Sequence, residues 1–115
     1  MPFDGTSTKG GKAVLMIDLM LQEFGKNGEG WVCGHWNRGN ARCLVSEMRS
    51  IRLRNKDLFT GAGTGDYILE AIGQLHGTQA KRDGIIQFND EIAKYRFAVV
   101  KEVLGKAREL AEQDI

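Results

Sequence analysis

The residue types able to do chemistry are concentrated in one stretch, GWVCGHWNRGNARCLVSEMRSI from Gly30 to Ile51, which holds both cysteines, both tryptophans and one of the two histidines. Within it Cys43 falls early in a helix that Asn40 is placed to cap, and the amides and macrodipole of a helix start favour a thiolate over a thiol. A thiolate is half of a nucleophilic device. The other half is a base, for which His35 and His76 are the two imidazoles in the chain, with Asn89 or Asp90 as the group that would orient it. The competing reading makes Cys43 a small buried hydrophobe, since cysteine is among the most buried residue types. Asn89-Asp90 divides in the same way, because both side chains commonly serve turns and caps by accepting from free backbone amides.

Cys33, His35, Cys43 and His76 also supply four ligand types that zinc accepts. Their spacing lacks the C-x-x-C or H-x-x-x-H knuckles of structural zinc sites, so no metal is expected, and no cofactor motif is present. A different arrangement follows if the helix after Asn40 runs far enough. Arg42, Arg49, Arg52 and Lys56 then project within about 80° of one another at ~100° per residue, with Arg38 just ahead of them. Such a stripe can hold phosphates while Trp36 stacks a base or grips a sugar. The same stripe also fits a solvated helix face. FTGAGTG at 59–65 has the glycine content of a phosphate loop but lacks G-x-x-x-x-G-K-[ST], and Asp66 puts a negative charge where a phosphate would sit. A flexible connector is the better reading of that segment.

The elements that must position these residues are legible from apolar spacing. Val14, Ile17, Met20, Leu21 and Phe24 recur at helical steps and predict a first helix over 13–24, ended by Gly25 and the following polar glycine-containing run. Trp31 to Gly39 has no period and reads as an ordered loop anchored by buried indoles. Leu44, Met48 and Ile51 predict a second helix over 41–54. Ile68, Leu69, Ile72 and Leu75 predict a third over 66–76, capped by Asp66 and ended by Gly77. After a polar turn at 81–84, Ile85 to Phe88 is read as a helical turn. A last helix over 95–112 carries the longest stripe, Phe97, Val100, Leu104, Ala107 and Ala111, and Gly105 inside it suggests a close helix crossing. Met1 to Lys12, with glycines at 5, 10 and 11, reads as a mobile lead-in.

The expected architecture is therefore all-α: one domain over 13–115, a small orthogonal or irregular bundle of about four helices, with an ordered Gly/Trp loop after the first. Its 115 residues suit one core. Sixteen basic against fifteen acidic side chains leave a net charge of +1, so there is no global field to draw in nucleic acid or an anionic membrane surface. No apolar run reaches the ~18 residues of a membrane span, and the start lacks a secretory h-region, which makes a soluble, cytoplasmic protein with reduced thiols the expectation.

Several landmarks also stand in a telling order: Gly30-Trp31-x-x-Gly34, then Cys43-Leu44 opening a helix, then Phe88-Asn89-Asp90, then a final Val, Leu and Ala-rich helix over 99–111. In this the chain resembles a family of small uncharacterised bacterial and phage proteins with Gly-Trp-x-x-Gly, Cys-Leu-x-Gly-Ala and Trp-Asn-Asp landmarks. It differs at Ser46-Glu47, where the family has Gly-Ala, and at Phe88, where the family has Trp. The resemblance implies an all-helical fold and carries no activity. The functional expectation is a non-enzymatic accessory or interaction module with another protein as its partner; the alternatives are nucleic-acid binding through the arginine stripe and thiol chemistry at Cys43.

Overall fold

The structure, a computed structural model, describes residues 8–59 and 63–115. Helix α1 (Lys9–Phe24) starts inside the segment expected to be a mobile lead-in, because Thr8 caps it by accepting from the Gly11 amide at 2.9 Å. Gly10 and Gly11 are buried. A Cβ on Gly10 would collide with the Ala111 carbonyl oxygen and the backbone of Asp114, so this glycine lets α1 lie directly against the far end of the chain. Residues 8–12 thus belong to the packed fold; the expectation for 1–7 lies outside the described residues.

Gly25 (φ 84°) and Gly28 (φ 77°) turn the chain out of α1. The next segment contains a hairpin that apolar periodicity does not announce: β1 (Asn37–Arg38) pairs antiparallel with β2 (Ala41–Arg42), Asn37 opposite Arg42. Gly39, first of the two loop residues, takes the positive φ (62°) that a tight II′-type hairpin requires. Asn40 is therefore in the hairpin loop and caps nothing. Helix α2 (Leu44–Arg54) starts later than expected, and its cap is Cys43, whose Sγ accepts from the Ser46 amide at 3.4 Å.

Beyond α2 lie the short α3 (Lys56–Phe59), α4 (Thr64–His76) and α5 (Thr78–Asp83), then α6 (Ile85–Gln87), which runs on into a π-helical turn (Phe88–Ile92), and finally α7 (Phe97–Glu112). Asp66 lies within the first turn of α4, with Gly63 before the helix, so it interacts with the helix dipole without being the cap; it pairs with Lys9 at 3.5 Å. The phosphate-loop comparison at 60–62 falls outside the described residues. Gly77 and Gly84, both at positive φ, break what would be one long helix into α4, α5 and α6. Tyr95 at φ 57° delays α7 by two positions from its expected start at 95.

The chain is mostly helical with this one small hairpin, and its packing centres on α1, α4 and α7, which contact one another, while α2 lies against α1. The stripe on α7 does what its spacing predicts: Val100, Val103, Leu104, Ala107 and Ala111 are buried against Ile17, Met20, Ile68 and Ile72 in one cluster. Gly105 does not make a helix crossing. It is exposed, with nothing within 4 Å of an added Cβ. Polar clamps close the edges of the core: Arg108 grips Asp18 of α1 with Nε–Oδ1 2.7 Å and Nη2–Oδ2 3.1 Å, and the Tyr67 hydroxyl donates to Asp114 at 2.6 Å.

Candidate functional site

Two segments distant in sequence, the loop after α1 and the start of α2, meet at the side chain of Asn89, which the π-helical turn carries into the interior, 1 % exposed. Its Oδ1 accepts from the Trp31 indole at 2.7 Å and from the Leu44 amide, the first of α2, at 3.1 Å. Its Nδ2 donates to the Val32 carbonyl at 3.1 Å and to Asp90 Oδ1 at 2.9 Å. An amide side chain offers two donor hydrogens and two acceptor lone pairs, and all are used. Asp90 Oδ1 in turn accepts from the Gly34 amide at 2.7 Å. Asn89 and Asp90 accept from free amides, but those of distant segments and not of their own turn, and so they pin the loop after α1 and the start of α2 to one point. Trp31 packs beside this node against Phe97, which also meets Phe24 edge-on, both pairs with centroids 5.9 Å apart.

Above the node is a cleft of about 200 Å³ lined by Gly34, His35, Trp36, Cys43, Ile86 and Asp90. Three of the residues singled out for thiol chemistry, His35, Cys43 and Asp90, are therefore brought to one place. The arrangement does not activate the sulfur. Cys43 is buried, and burial pushes its thiol up from the ordinary value, Asp90 adding to the rise, against the opposing pull of the Ser46 and Val45 amides. His76 stands outside the cleft, its ring against Phe88 with centroids 5.5 Å apart and its Nε2 buried with no hydrogen-bond partner. Among the described residues no three His, Cys, Asp or Glu side chains group to hold a metal.

Trp36 is the ridge between this cleft and a groove of about 520 Å³ whose walls are Val45, Met48, Arg49, Arg52 and Leu53, with Gly65 at one edge. The two indoles of the loop have opposite fates: Trp31 is packed, whereas Trp36, expected to be an anchor, is 53 % exposed. The reason is direction, since Trp31 points to Asn89 while Trp36 leads into the outward-facing hairpin. The arginine stripe is also rearranged. Arg42 belongs to β2 and Lys56 to α3, so only Arg49 and Arg52 of the four stand on α2. Arg38, Arg49 and Arg52 are exposed and have no ion-pair partner among the described residues, whereas Arg42 reaches Glu47 (3.7 Å) and Arg54 reaches Glu23 (2.6 Å).

Glu47 was not singled out by its sequence neighbourhood, yet it is the most unusual ionisable group in the region. It is 1 % exposed, and burial first, then the facing Glu23 carboxyl, pushes its pKa up to about 7 against the pull of Arg42 and Arg54. Glu23 moves the other way, held below the ordinary range chiefly by its bond to Arg54. Its buried Oε2 has no hydrogen-bond partner, and Arg54 Nη2 stands 3.9 Å away, at ion-pair distance. The signal was present, since position 47 falls on the Leu44–Ile51 face that α2 buries. Leu53 carried a signal too, an apolar residue set off that face, and it is 53 % exposed.

Comparison with protein-family models, with curated proteins and with solved structures finds no match to this chain.

Proposed function

We propose that this chain is a non-enzymatic interaction module that binds a partner protein through the face carrying Trp36, Val45, Met48, Arg49, Arg52 and Leu53. The observation behind the reading is the company that Trp36 keeps. Three large, half-exposed apolar side chains, Trp36 (53 %), Leu53 (53 %) and Ile86 (50 %), are linked through the cleft and groove that Trp36 separates, and the two arginines of the groove have no intramolecular partner among the described residues. Exposed apolar surface rimmed by polar groups is characteristic of binding sites, and Trp, Arg and Met are the residue types enriched in protein contacts. The unactivated Cys43 thiol argues against a nucleophile in the adjoining cleft. Two free cysteines accord with a cytoplasmic setting, and none of the described helices is long and apolar enough to cross a membrane.

A second reading, nucleic-acid binding by the same face, draws on Arg38, Arg49 and Arg52, which have no ion-pair partner among the described residues, and on an exposed indole. Kinship with the small uncharacterised family is proposed on separate grounds: Trp31, Gly34, Leu44, Asn89 and Asp90, all landmark residues, are the ones that bond to each other at the node. The deciding experiment compares wild type and Trp36→Ala as baits in cell extract, with a melting curve on each and a low-salt titration with random oligonucleotides. A protein retained by wild type and lost with a Trp36→Ala variant of unchanged melting temperature is the expected result. Retention that ignores Trp36 overturns the reading, and salt-sensitive oligonucleotide binding moves the assignment to nucleic acid.

A further inference from the structure

A second depression, of about 290 Å³, borders the Trp36 groove, and Arg49 and Leu53 line both. Its other walls include Arg42 and Arg54 with the hydroxyl residues Ser46 and Ser50, and no carboxylate lines it. Glu23 and Glu47 hold Arg54 and Arg42 through the 2.6 Å and 3.7 Å pairs while lying outside the lining, so the guanidiniums are braced by acids that do not occupy the space between them. Arg49 is uncompensated among the described residues. The two depressions differ in chemistry. One has an indole, a thioether and two aliphatic side chains with Arg49 and Arg52 at its wall; the other presents three guanidiniums, the Ser50 hydroxyl and Asn37, whose Oδ1 accepts from the Ser46 hydroxyl at 2.7 Å.

We infer that this face reads a protein segment in which a large apolar side chain stands beside an acidic one, the apolar group seated between Trp36 and Leu53 and the carboxylate among Arg42, Arg49 and Arg54. The inference rests on the protein-binding reading above and adds the chemistry of the partner. Charge complementarity selects the acid: guanidinium forks donate in pairs to a carboxylate, and such charge-assisted bonds are both shorter and stronger than neutral ones. The apolar half sets the face apart from a polyanion site. A phosphodiester backbone would leave Met48, Val45 and Leu53 unused, and a net charge of +1 gives no long-range field to draw in a polyanion. Arg49 and Leu53, shared by both depressions, fix the two groups of the partner as near neighbours.

The test is selection from a random displayed-peptide library on the immobilised wild-type protein, with counter-selection on Trp36→Ala. Trp36 and Arg49 are exposed, so their variants keep the fold, and circular dichroism verifies this. The expected result is enrichment of peptides that place Asp or Glu close to Leu, Ile, Met, Phe or Trp, with affinity falling about tenfold or more on Arg49→Gln and with added salt. Enriched peptides that need Trp36 but are neutral or basic, or that ignore Arg49→Gln, overturn the inference and leave the protein-binding reading standing. No Trp36-dependent enrichment overturns both. Exchange of the acidic residue for phosphoserine that is needed before any binding occurs would also overturn the assignment of a carboxylate.

Discussion

Cys43 illustrates how one side chain can have two roles suggested by its neighbours and be held to one by its bonds. Its Sγ accepts from the Ser46 amide, the cap interaction of α2, and its amide donates to the Trp36 carbonyl at 3.0 Å, which closes the loop on the helix. A helix start favours the thiolate; burial disfavours it, and burial is the larger effect here. Iodoacetamide near neutral pH is therefore expected to leave Cys43 unmodified in the native protein and to react first at the half-buried Cys33, with Cys43 following only when the chain is unfolded. Rapid, selective labelling of Cys43, located by mass spectrometry, would restore the nucleophile reading. Replacing Cys43 by Ala removes the cap and packed sulfur together, a loss of roughly 1 to 2 kcal/mol.

Two glycines inside helices show which features of an element can be read from sequence. Gly105 lies on the exposed side of the helix that carries the best apolar stripe, with open space where a Cβ would stand, while Gly10, in a run that resembles a linker, is where α1 meets the end of the chain. Gly105→Ala should raise stability by about 0.5 to 1 kcal/mol through helix propensity, whereas Gly10→Ala should destabilise by more than that gain because backbone atoms must move apart. Urea midpoints of the two variants check both signs, and a stabilising Gly10→Ala would refute the crossing. A glycine in a sequence reports missing side-chain volume without saying which neighbour comes close. The same limit explains the rest. The long apolar repeats on α1, α4 and α7 were legible because burial imposes helical spacing, whereas the exposure of Trp36 was not, since an indole in a loop without period fits an anchor and a rim equally. The hairpin was not, since strands of two residues have no period, and the convergence on Asn89 depends on contacts across 45 to 58 positions of chain.

At the scale of the molecule, the acid pair between α1 and α2 sets a pH dependence that net charge alone would not suggest. Glu47 ionises near its ordinary 4.5 when unfolded but near about 7 when folded, so its contribution is full below about 4.5 and is lost as pH rises towards 7. Glu23 is shifted down, so its contribution is present above its ordinary value and is lost on acidification. The two contributions are therefore jointly most favourable close to the ordinary carboxyl value of 4.5, and the Glu47 part declines from there towards about 7. Glu47→Gln puts a neutral side chain of the same size at the buried position, and denaturant midpoints at about pH 5 and about pH 8 should show it near wild type at the first and more stable, by on the order of 1 kcal/mol, at the second. Parallel curves for the two proteins would exclude Glu47 as the titrating group. The saturated amide of Asn89 has a different consequence, one of timing. Because that single side chain holds the Leu44 amide, and through Asp90 the Gly34 amide, neither proton can reach solvent by local fraying without the other restraint being strained. The loop and the start of α2 should then open as one unit, so Leu44 and Gly34 are expected to exchange with deuterium at a common, slow rate in the native protein, and Asn89→Ala to release both together.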